Sequence, residues 1–146
     1  MSGTAASDRF TPSTRQVIEQ AKASVLKYKH THITPEHILL AIVETHDPAL
    51  IKGFQIAKAT PAQIKVLVEH HLRVGDLLLT EDQLAFSERA KRVIETAKEE
   101  SVQAQKAQIG PEHLLLGLAR VRNTVAAAVL AAVDLKEDEL RTAVNT

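Results

Sequence analysis

The sequence predicts an all-α, eight-helix domain in which two tandem four-helix repeats are related by a pseudo-twofold axis. The segment ITPEHILL at residues 33–40 returns as IGPEHLLL at residues 109–116, an offset of 76 residues. The same offset relates residues 10–70 to residues 86–146 without a gap, and all five prolines stand where helices are expected to begin. A register of this length indicates two copies of one folding unit, so we expect any site to occur twice or at the seam between the copies.

The composition favours helices packed around an aliphatic core. Hydrophobic residues make up 45% of the chain but aromatic residues only 3%, which suits close helix packing better than a β-sandwich. The 18 basic and 18 acidic residues balance, so we expect no nucleic-acid partner. Because there is no cysteine, no secretory signal pattern and no apolar run near the ~20 residues of a membrane span, we expect a cytoplasmic protein without a membrane partner.

Proline marks the first position of each predicted helix in the first repeat. There its missing N–H costs nothing, and the preceding Thr or Asp can cap the helix. These signals predict four helices, over residues 12–29, 35–45 and 48–56 and from Pro61 onward. The second helix is apolar on most sides after its first turn, so we expect it to be the most buried. The fourth is expected to bury Ile64, Leu67 and Val68.

The second repeat is expected to contain four matching helices, over residues 87–106, 111–120, 124–133 and 136–144. We place the repeats at residues 10–73 and 86–146, with a flexible N-terminal tail at 1–9 and an ordered linker at 74–85. The linker is expected to be ordered because it carries three leucines instead of a Gly/Ser-rich composition. Each repeat has roughly 60 residues, near the lower limit for independent stability, so the two are expected to share apolar surface.

The sequence contains no motif of a known catalytic or cofactor site. A P-loop, a G-x-S-x-G elbow, an H-E-x-x-H zinc motif and a Cys/His metal spacing are all missing. We therefore predict a non-enzymatic protein with no metal and no cofactor. Of the seven histidines, His37 and His113 recur in the repeat. We interpret them as rings that pack at a helix start and bond a neighbouring loop, and we interpret His30 and His32 as surface histidines.

Glu36 and Glu112 are the candidate ligand-binding residues. Each is the second residue of a predicted helix, where the helix dipole alone favours a carboxylate by about 0.3–1 kcal/mol. A ligand role is the alternative. The carboxylate can accept hydrogen bonds from a cationic group, and the free N–H groups at the helix start beside it favour an anion. A guanidinium that carries a phosphate would satisfy both parts. An enzyme that used Glu36 with His37, or Glu112 with His113, is disfavoured because neighbouring helical residues point about 100° apart.

The two repeats resemble a known family. Each has the layout F-T/S-x(5)-V-I-x-x-A, followed by I-T/G-P-E-H-I/L-L-L. This layout resembles the Clp N-terminal domain, or Clp repeat domain, which precedes the ATPase modules of ClpA-, ClpB- and ClpC-type AAA+ unfoldases. Residues 10–70 are similar to its first repeat and residues 86–146 to its second, so the resemblance covers almost the whole chain. It implies the same eight-helix, pseudo-twofold fold.

The resemblance also implies a role in docking adaptor proteins or substrate proteins for unfolding and proteolysis, with Clp ATPase or peptidase subunits as partners. ClpC-type members bind phosphoarginine-marked proteins with the glutamate of this motif, which falls on Glu36 and Glu112. In the family the residue before that glutamate is usually threonine. Here it is Pro35 or Pro111, which removes one hydroxyl and one amide from each site.

Family members also use a hydrophobic docking surface near the start of the first helix of each repeat, and Phe10 and Phe86 match those positions. The alternative is that these two rings are buried staples that hold the helix entry. For the protein as a whole, the alternative to a recognition module of an unfoldase is a free-standing Clp-repeat protein. Such a protein would bind the Clp protease core or act as a decoy for ligands of the N-terminal domain.

Overall fold

The computed structural model describes residues 9–45, 47–72 and 84–145, which form eight helices and two short strands. The first repeat contains α1 (Pro12–Lys27), β1 (His32–Ile33), α2 (Pro35–Glu44), α3 (Pro48–Gln55) and α4 (Pro61–His71). The second repeat contains β2 (Ala85–Phe86), α5 (Glu88–Gln103), α6 (Pro111–Arg120), α7 (Val125–Ala132) and α8 (Glu137–Val144). The predicted all-α fold is therefore confirmed. The predicted tail and linker lie almost wholly outside the described residues, and the repeat boundaries stay predictions.

The helices of the first repeat begin at the predicted prolines, and at three of these four starts the side chain before the proline caps the helix. The Thr14 backbone N–H donates to Thr11 Oγ1 at 3.1 Å, and the Ala49 N–H donates to Asp47 Oδ1 at 2.8 Å. These bonds satisfy amides that have no partner inside the helix, while proline has no N–H to satisfy. The four predicted starts of this repeat are therefore correct.

The first helix of each repeat ends two or three residues earlier than predicted. Lys29 has a φ of 57°, and the His30 N–H donates to the Val25 carbonyl at 2.9 Å, which closes α1 with a left-handed turn. Helix α5 ends in the same way, with the Lys106 N–H donating to the Ser101 carbonyl at 2.9 Å. His30 and Lys106 therefore stand at equivalent places directly after the first helix of each repeat.

The buried helices α2 and α6 form the centre of one aliphatic core shared by both repeats. Among the fully buried large side chains, seven come from these two helices: Ile38, Leu39, Ile42, Leu114, Leu115, Leu116 and Leu118. Three others come from the helices that flank them: Leu50, Ile64 and Leu130. Helix α3 packs on α8 and helix α4 on α7, so the last two helices of each repeat contact the other repeat. The prediction that Leu67 is buried is wrong, since this side chain is 39% exposed. In α4 the buried residues are Ile64 and Val68, which lie one turn apart on the face toward the core.

Two reciprocal backbone bridges join the repeats, and neither was predicted. Strand β1 pairs in parallel with β2, which places Ile33 beside Phe86, while Phe10 forms an isolated bridge with Ile109. The Ser87 N–H donates to the Ile33 carbonyl at 2.9 Å, and the equivalent Thr11 N–H donates to the Ile109 carbonyl at 3.1 Å. The entry of each repeat's first helix is thereby tied to the loop before the buried helix of the other repeat.

Helix α6 approaches its neighbour α5 more closely than a larger residue would allow. A Cβ added at Gly117 would lie 2.6 Å from the Val93 carbonyl oxygen, a distance that requires the backbones to separate.

Among the described helices, none alone is long and apolar enough to cross a membrane. Helices α6 and α7 are together long and apolar enough, but by length and composition only, and the chain bends by 96° between them.

Candidate functional site

Two equivalent pockets open at the starts of α2 and α6. The first-repeat pocket, about 920 Å³, is lined by residues that include His30, Glu36, His37, Phe86 and Lys91. The second-repeat pocket, about 340 Å³, is lined by residues that include Thr11, Lys106, Gly110, Glu112 and His113. Most lining residues of the second pocket stand 76 positions after those of the first, so both pockets derive from the same part of the repeat. Each is closed by the helix entry of the opposite repeat.

His37 and His113 cap the helices that carry the pockets. Nδ1 of His37 accepts the backbone N–H of Thr34 at 3.0 Å, and Nδ1 of His113 accepts that of Gly110 at 2.9 Å. Burial, and secondarily the charge of His30, lowers the pKa of His37 from 6.5 to about 4; burial likewise lowers the pKa of His113. Both rings are therefore neutral near pH 7. The predicted role of packing at the helix start and bonding the preceding loop is confirmed.

The ring of His30 distinguishes the first-repeat pocket from the second. His30 Nδ1 lies 2.8 Å from His37 Nε2, and the ring of Tyr28 stacks on His30 with centroids 5.7 Å apart. The interpretation of His30 as a surface histidine is thus corrected, because the left-handed turn after α1 directs it into the pocket. In the second repeat its equivalent is Lys106. His113 Nε2 is buried and has no hydrogen-bond partner within the described part of the chain.

The structure places Glu36 and Glu112 at equivalent backbone positions, one in each pocket. The Glu112 carboxylate lies over Gly110, and Oε1 is buried without a hydrogen-bond partner among the described residues. The first repeat has Thr34 in place of Gly110, and its Cβ excludes the same position for the Glu36 carboxylate. The two glutamates therefore face different surroundings, and their binding role stays a prediction.

Phe10 and Phe86, the predicted docking surface, differ in burial. Phe10 is 5% exposed and lies in the core, as the staple alternative describes. Phe86 is half-buried and lines the first-repeat pocket. Of the two rings, only that of Phe86 is placed to contact a ligand in the pocket without a change in the core. A hydrophobic docking surface at these positions stays a prediction.

A buried ion cluster that joins α5, α6 and α8 was not predicted. Glu100 is 1% exposed and accepts bonds from Arg120 Nη1 at 2.8 Å and from Arg141 Nε and Nη2, each at 2.9 Å. The hydrogen bonds from Arg141 are the main cause of a lowered Glu100 pKa. In the first repeat the equivalents of the two arginines are Glu44 and Lys65, which form an ion pair at 3.2 Å. A charged residue on the apolar stripe of α5 was the only signal in the sequence.

A separate apolar groove runs between α3 and α4. It measures about 630 Å³ and is lined mainly by Leu50, Ile51, Phe54, Ala57 and Pro61, with Ile51 53% exposed. The first-repeat and second-repeat pockets, by contrast, are lined by carboxylate, imidazole and ammonium groups. Across residues 9–45, 47–72 and 84–145, no group of three or more His, Asp or Glu side chains is arranged to hold a metal ion. The pockets are thus suited to hold a small polar group by hydrogen bonds and charge.

The chain matches the sequence profile of the family described as the Clp repeat (R) N-terminal domain, over residues 9–133 and again over residues 85–146. Among curated proteins, it is 31% identical to the chaperone protein ClpB of Oceanobacillus iheyensis over 122 residues. Over the same number of residues it is 33% identical to the negative regulator of genetic competence ClpC/MecB of Bacillus subtilis. Both alignments cover 84% of this chain but only 15% of the relative. The chain therefore spans a small part of the length of these relatives.

Solved structures share the fold over almost the whole chain. The N-terminal domain of the caseinolytic protease associated chaperone ClpD from Arabidopsis thaliana superposes with a TM-score of 0.71 at 25% identity, covering 94% of this chain and 95% of that domain. The Hsp104 N-terminal domain from Candida albicans gives a TM-score of 0.73 at 20% identity, covering 92% and 88% of the two chains. The second likeness supports the fold alone.

Proposed function

Because the chain belongs to the Clp repeat (R) N-terminal domain family, we propose that it is a protein-binding module that docks adaptors or marked substrates for a Clp-type AAA+ unfoldase. The single observation that supports this most is the pair of equivalent pockets, each with a glutamate and a capping histidine at the start of a buried helix. The curated relatives include chaperones and ATP-binding subunits of a Clp protease, of which this chain corresponds to a small part.

The chemistry of the pockets favours a ligand that carries both signs of charge. Glu36 and Glu112 offer carboxylates, while Lys29 and Lys91 line the first pocket and Lys106 lines the second. A phosphorylated arginine side chain would present its guanidinium to the glutamate and its phosphate to the basic groups and the helix start. Pro35 and Pro111 remove one N–H from each helix start, so the phosphate depends more on these side chains. We place the module in the cytoplasm and assign it no catalytic step of its own.

Calorimetric titration with a protein phosphorylated on arginine tests this function. The double variant Glu36→Gln/Glu112→Gln should bind at least about tenfold more weakly, since each pocket loses a charge-assisted hydrogen bond. Glu19→Gln/Glu95→Gln is the matched control, because these exposed glutamates are also equivalent positions of the two repeats. Unchanged affinity in the site variant would assign Glu36 and Glu112 to helix capping alone.

A second measurement separates the recognition module from a free-standing accessory protein. The chain is immobilised and presented in turn to adaptor proteins, to a Clp unfoldase and to the Clp peptidase ring. Retention of adaptors, weakened by the site variant, supports the proposal. Retention of the peptidase ring alone would contradict it and favour the accessory role.

A further inference from the structure

We propose that the exposed apolar face of α3 and α4 is a second docking surface, which binds one basic amphipathic helix of a partner protein. This α3–α4 face consists of the apolar groove between the two helices, about 630 Å³, and of the exposed side chains Ile51, Val66 and Leu67 beside it. Gln63 lines the groove, and Val66 and Leu67 stand one turn further along the same side of α4. This surface is additional to the two pockets of the proposed docking function and is independent of them.

The apolar side chains of the α3–α4 face are not required by the fold. Three of the four large apolar side chains that are exposed in the described part of the chain belong to it: Ile51 at 53%, Val66 at 64% and Leu67 at 39%. The second repeat has the same two helices, α7 and α8, but its residues at the equivalent positions are small or polar: Ala127, Thr142 and Ala143. Because that repeat folds in the same way without them, the exposed apolar side chains indicate a binding surface.

Most polar groups on the rim of the groove already have partners within the chain. Asp47 Oδ1 accepts the Ala49 N–H and Gln63 Oε1 accepts the Thr60 N–H, each at 2.8 Å. The Thr45 hydroxyl donates to the backbone carbonyl four residues earlier, also at 2.8 Å. An extended segment would need hydrogen bonds from the groove for its backbone, whereas a helix satisfies its backbone internally. The groove is therefore suited to the apolar side of a helix.

The size of the face matches one helix and not a second copy of this chain. Helix α3 has 8 residues and α4 has 11, which correspond to lengths of about 12 and 16 Å. Two such helices about 10 Å apart present a face of roughly 300 Å², less than half of the ~800 Å² that each partner buries in a standard interface. About three turns of a single helix cover the same length.

The charges around the face favour a basic partner. Lys58 and Lys65 already pair with Asp134 and Glu44, at 2.9 and 3.2 Å. The charged residues of segment 44–69, together with the two carboxylates of the second repeat that act on Lys58, include more carboxylates than ammonium groups: Glu44, Asp47, Glu69, Asp134 and Glu139 against Lys52, Lys58 and Lys65. A partner helix with Lys or Arg beside its apolar stripe is complementary to this acidic surplus, which also steers its approach.

A synthetic helix of about 14 residues, with Leu at every third or fourth position and Lys on both flanks, tests the proposal. Titrated into isotope-labelled protein, it should shift the NMR signals around Ile51, Phe54 and Leu67. The triple variant Ile51→Ala/Val66→Thr/Leu67→Ala, which introduces the residues of the second repeat, should weaken binding at least about tenfold because apolar contact is lost. The control Val102→Thr removes an apolar side chain of α5 that is 54% exposed, and it should change the affinity less than about twofold.

Further measurements distinguish the other possible occupants. A peptide with Glu in place of Lys should bind at least about fivefold more weakly at low salt, and equal affinity would overturn the assignment of a basic partner. Sedimentation of the free chain should show a monomer, whereas a dimer that the triple variant dissociates would assign the face to a second copy. Shifts confined to the two pockets, or equal affinity in the triple variant, also overturn the proposal.

The outcome is separable from that of the proposed function. Adaptor binding that depends on Glu36 and Glu112, without binding of the synthetic helix, overturns the α3–α4 docking surface alone. Binding of the helix without any adaptor binding supports that surface and refutes the proposed function. Circular-dichroism melts verify that the triple variant keeps the fold, and the NMR shifts of the wild type test the location of the site without any variant.

Discussion

The carboxylate of Glu112 lies over the α-carbon of Gly110, in the space that a side chain at position 110 would fill. Gly110 has a φ of −93°, which any residue adopts, so the glycine is needed here for space and not for backbone freedom. At the equivalent place the first repeat has Thr34. The presence or absence of a side chain before the proline therefore gives the two equivalent pockets different carboxylate positions.

Replacing Gly110 by threonine should separate stability from binding. Threonine and glycine are about equally favourable at the residue before a helix, so stability should change by no more than a few tenths of a kcal/mol. The Glu112 carboxylate must move, and phosphoarginine affinity should fall. Thr34→Gly is the reciprocal control, expected to lower stability slightly without reducing that affinity. Thermal melts and calorimetry measure the two effects; an unaltered affinity in Gly110→Thr would contradict the role of this contact.

The protein should become less stable as the pH falls from about 6.5 to about 4. The His37 ring takes up a proton with a pKa of 6.5 when unfolded but only near 4 when folded, so acid favours the unfolded state. The stability present above pH 6.5 is lost across this window, by up to about 3 kcal/mol for His37 alone. His113, whose pKa burial also lowers, acts in the same direction. Urea unfolding at several pH values measures the slope.

The variant His37→Gln should flatten that slope. Glutamine at this position keeps a capping acceptor, as Gln63 does in α4, where its Oε1 accepts the Thr60 N–H at 2.8 Å. It has no proton to take up in this pH range. The variant should therefore lose less stability than the wild type between pH 7 and pH 4.5. An identical slope in both proteins would show that other groups control the acid response.

Glu100→Gln should destabilise the protein by about 2–4 kcal/mol, because Arg120 and Arg141 lose the carboxylate that they share. Glu99→Gln is the matched control: this neighbour also contacts Arg120, at 3.5 Å, but is 60% exposed. It should change stability by less than about 0.5 kcal/mol. Chemical denaturation compares the two. Equal effects would mean that the buried cluster contributes no more than a surface ion pair.

Phe10→Ala and Phe86→Ala should have different consequences although the positions are equivalent. Phe10 is buried, so its truncation should cost about 3–4 kcal/mol of stability. Phe86 is half-buried at the rim of the first-repeat pocket, so its truncation should cost clearly less. Adaptor binding by the Phe86→Ala variant then tests the predicted docking surface. Affinity equal to that of the wild type would leave Phe86 with a packing role only.

The sequence was sufficient for the helix starts of the first repeat because each signal is local. Proline at the first helical position and a capping residue before it require only adjacent residues, which is why the start at Pro12 could be placed. The strands are two residues long and carry no periodicity, so the pairing of Ile33 with Phe86 could not be read from them. The bond between His30 and His37 depends on the left-handed turn at Lys29, for which a lysine gives no signal.

The bridge between Thr11 and Ile109 belongs to a late step in the folding of the chain. The loop carbonyl that receives the Thr11 amide belongs to Ile109, almost a hundred residues later. On the ribosome this bond can form only after most of the C-terminal half has been made, although α1 already packs on α2 within its own repeat. The long loop must close before the bond contributes to stability. A premature stop within α5 would leave a nascent fragment with an unmatched entry segment, and we expect such fragments to be recognised by proteases rather than to persist as half-domains.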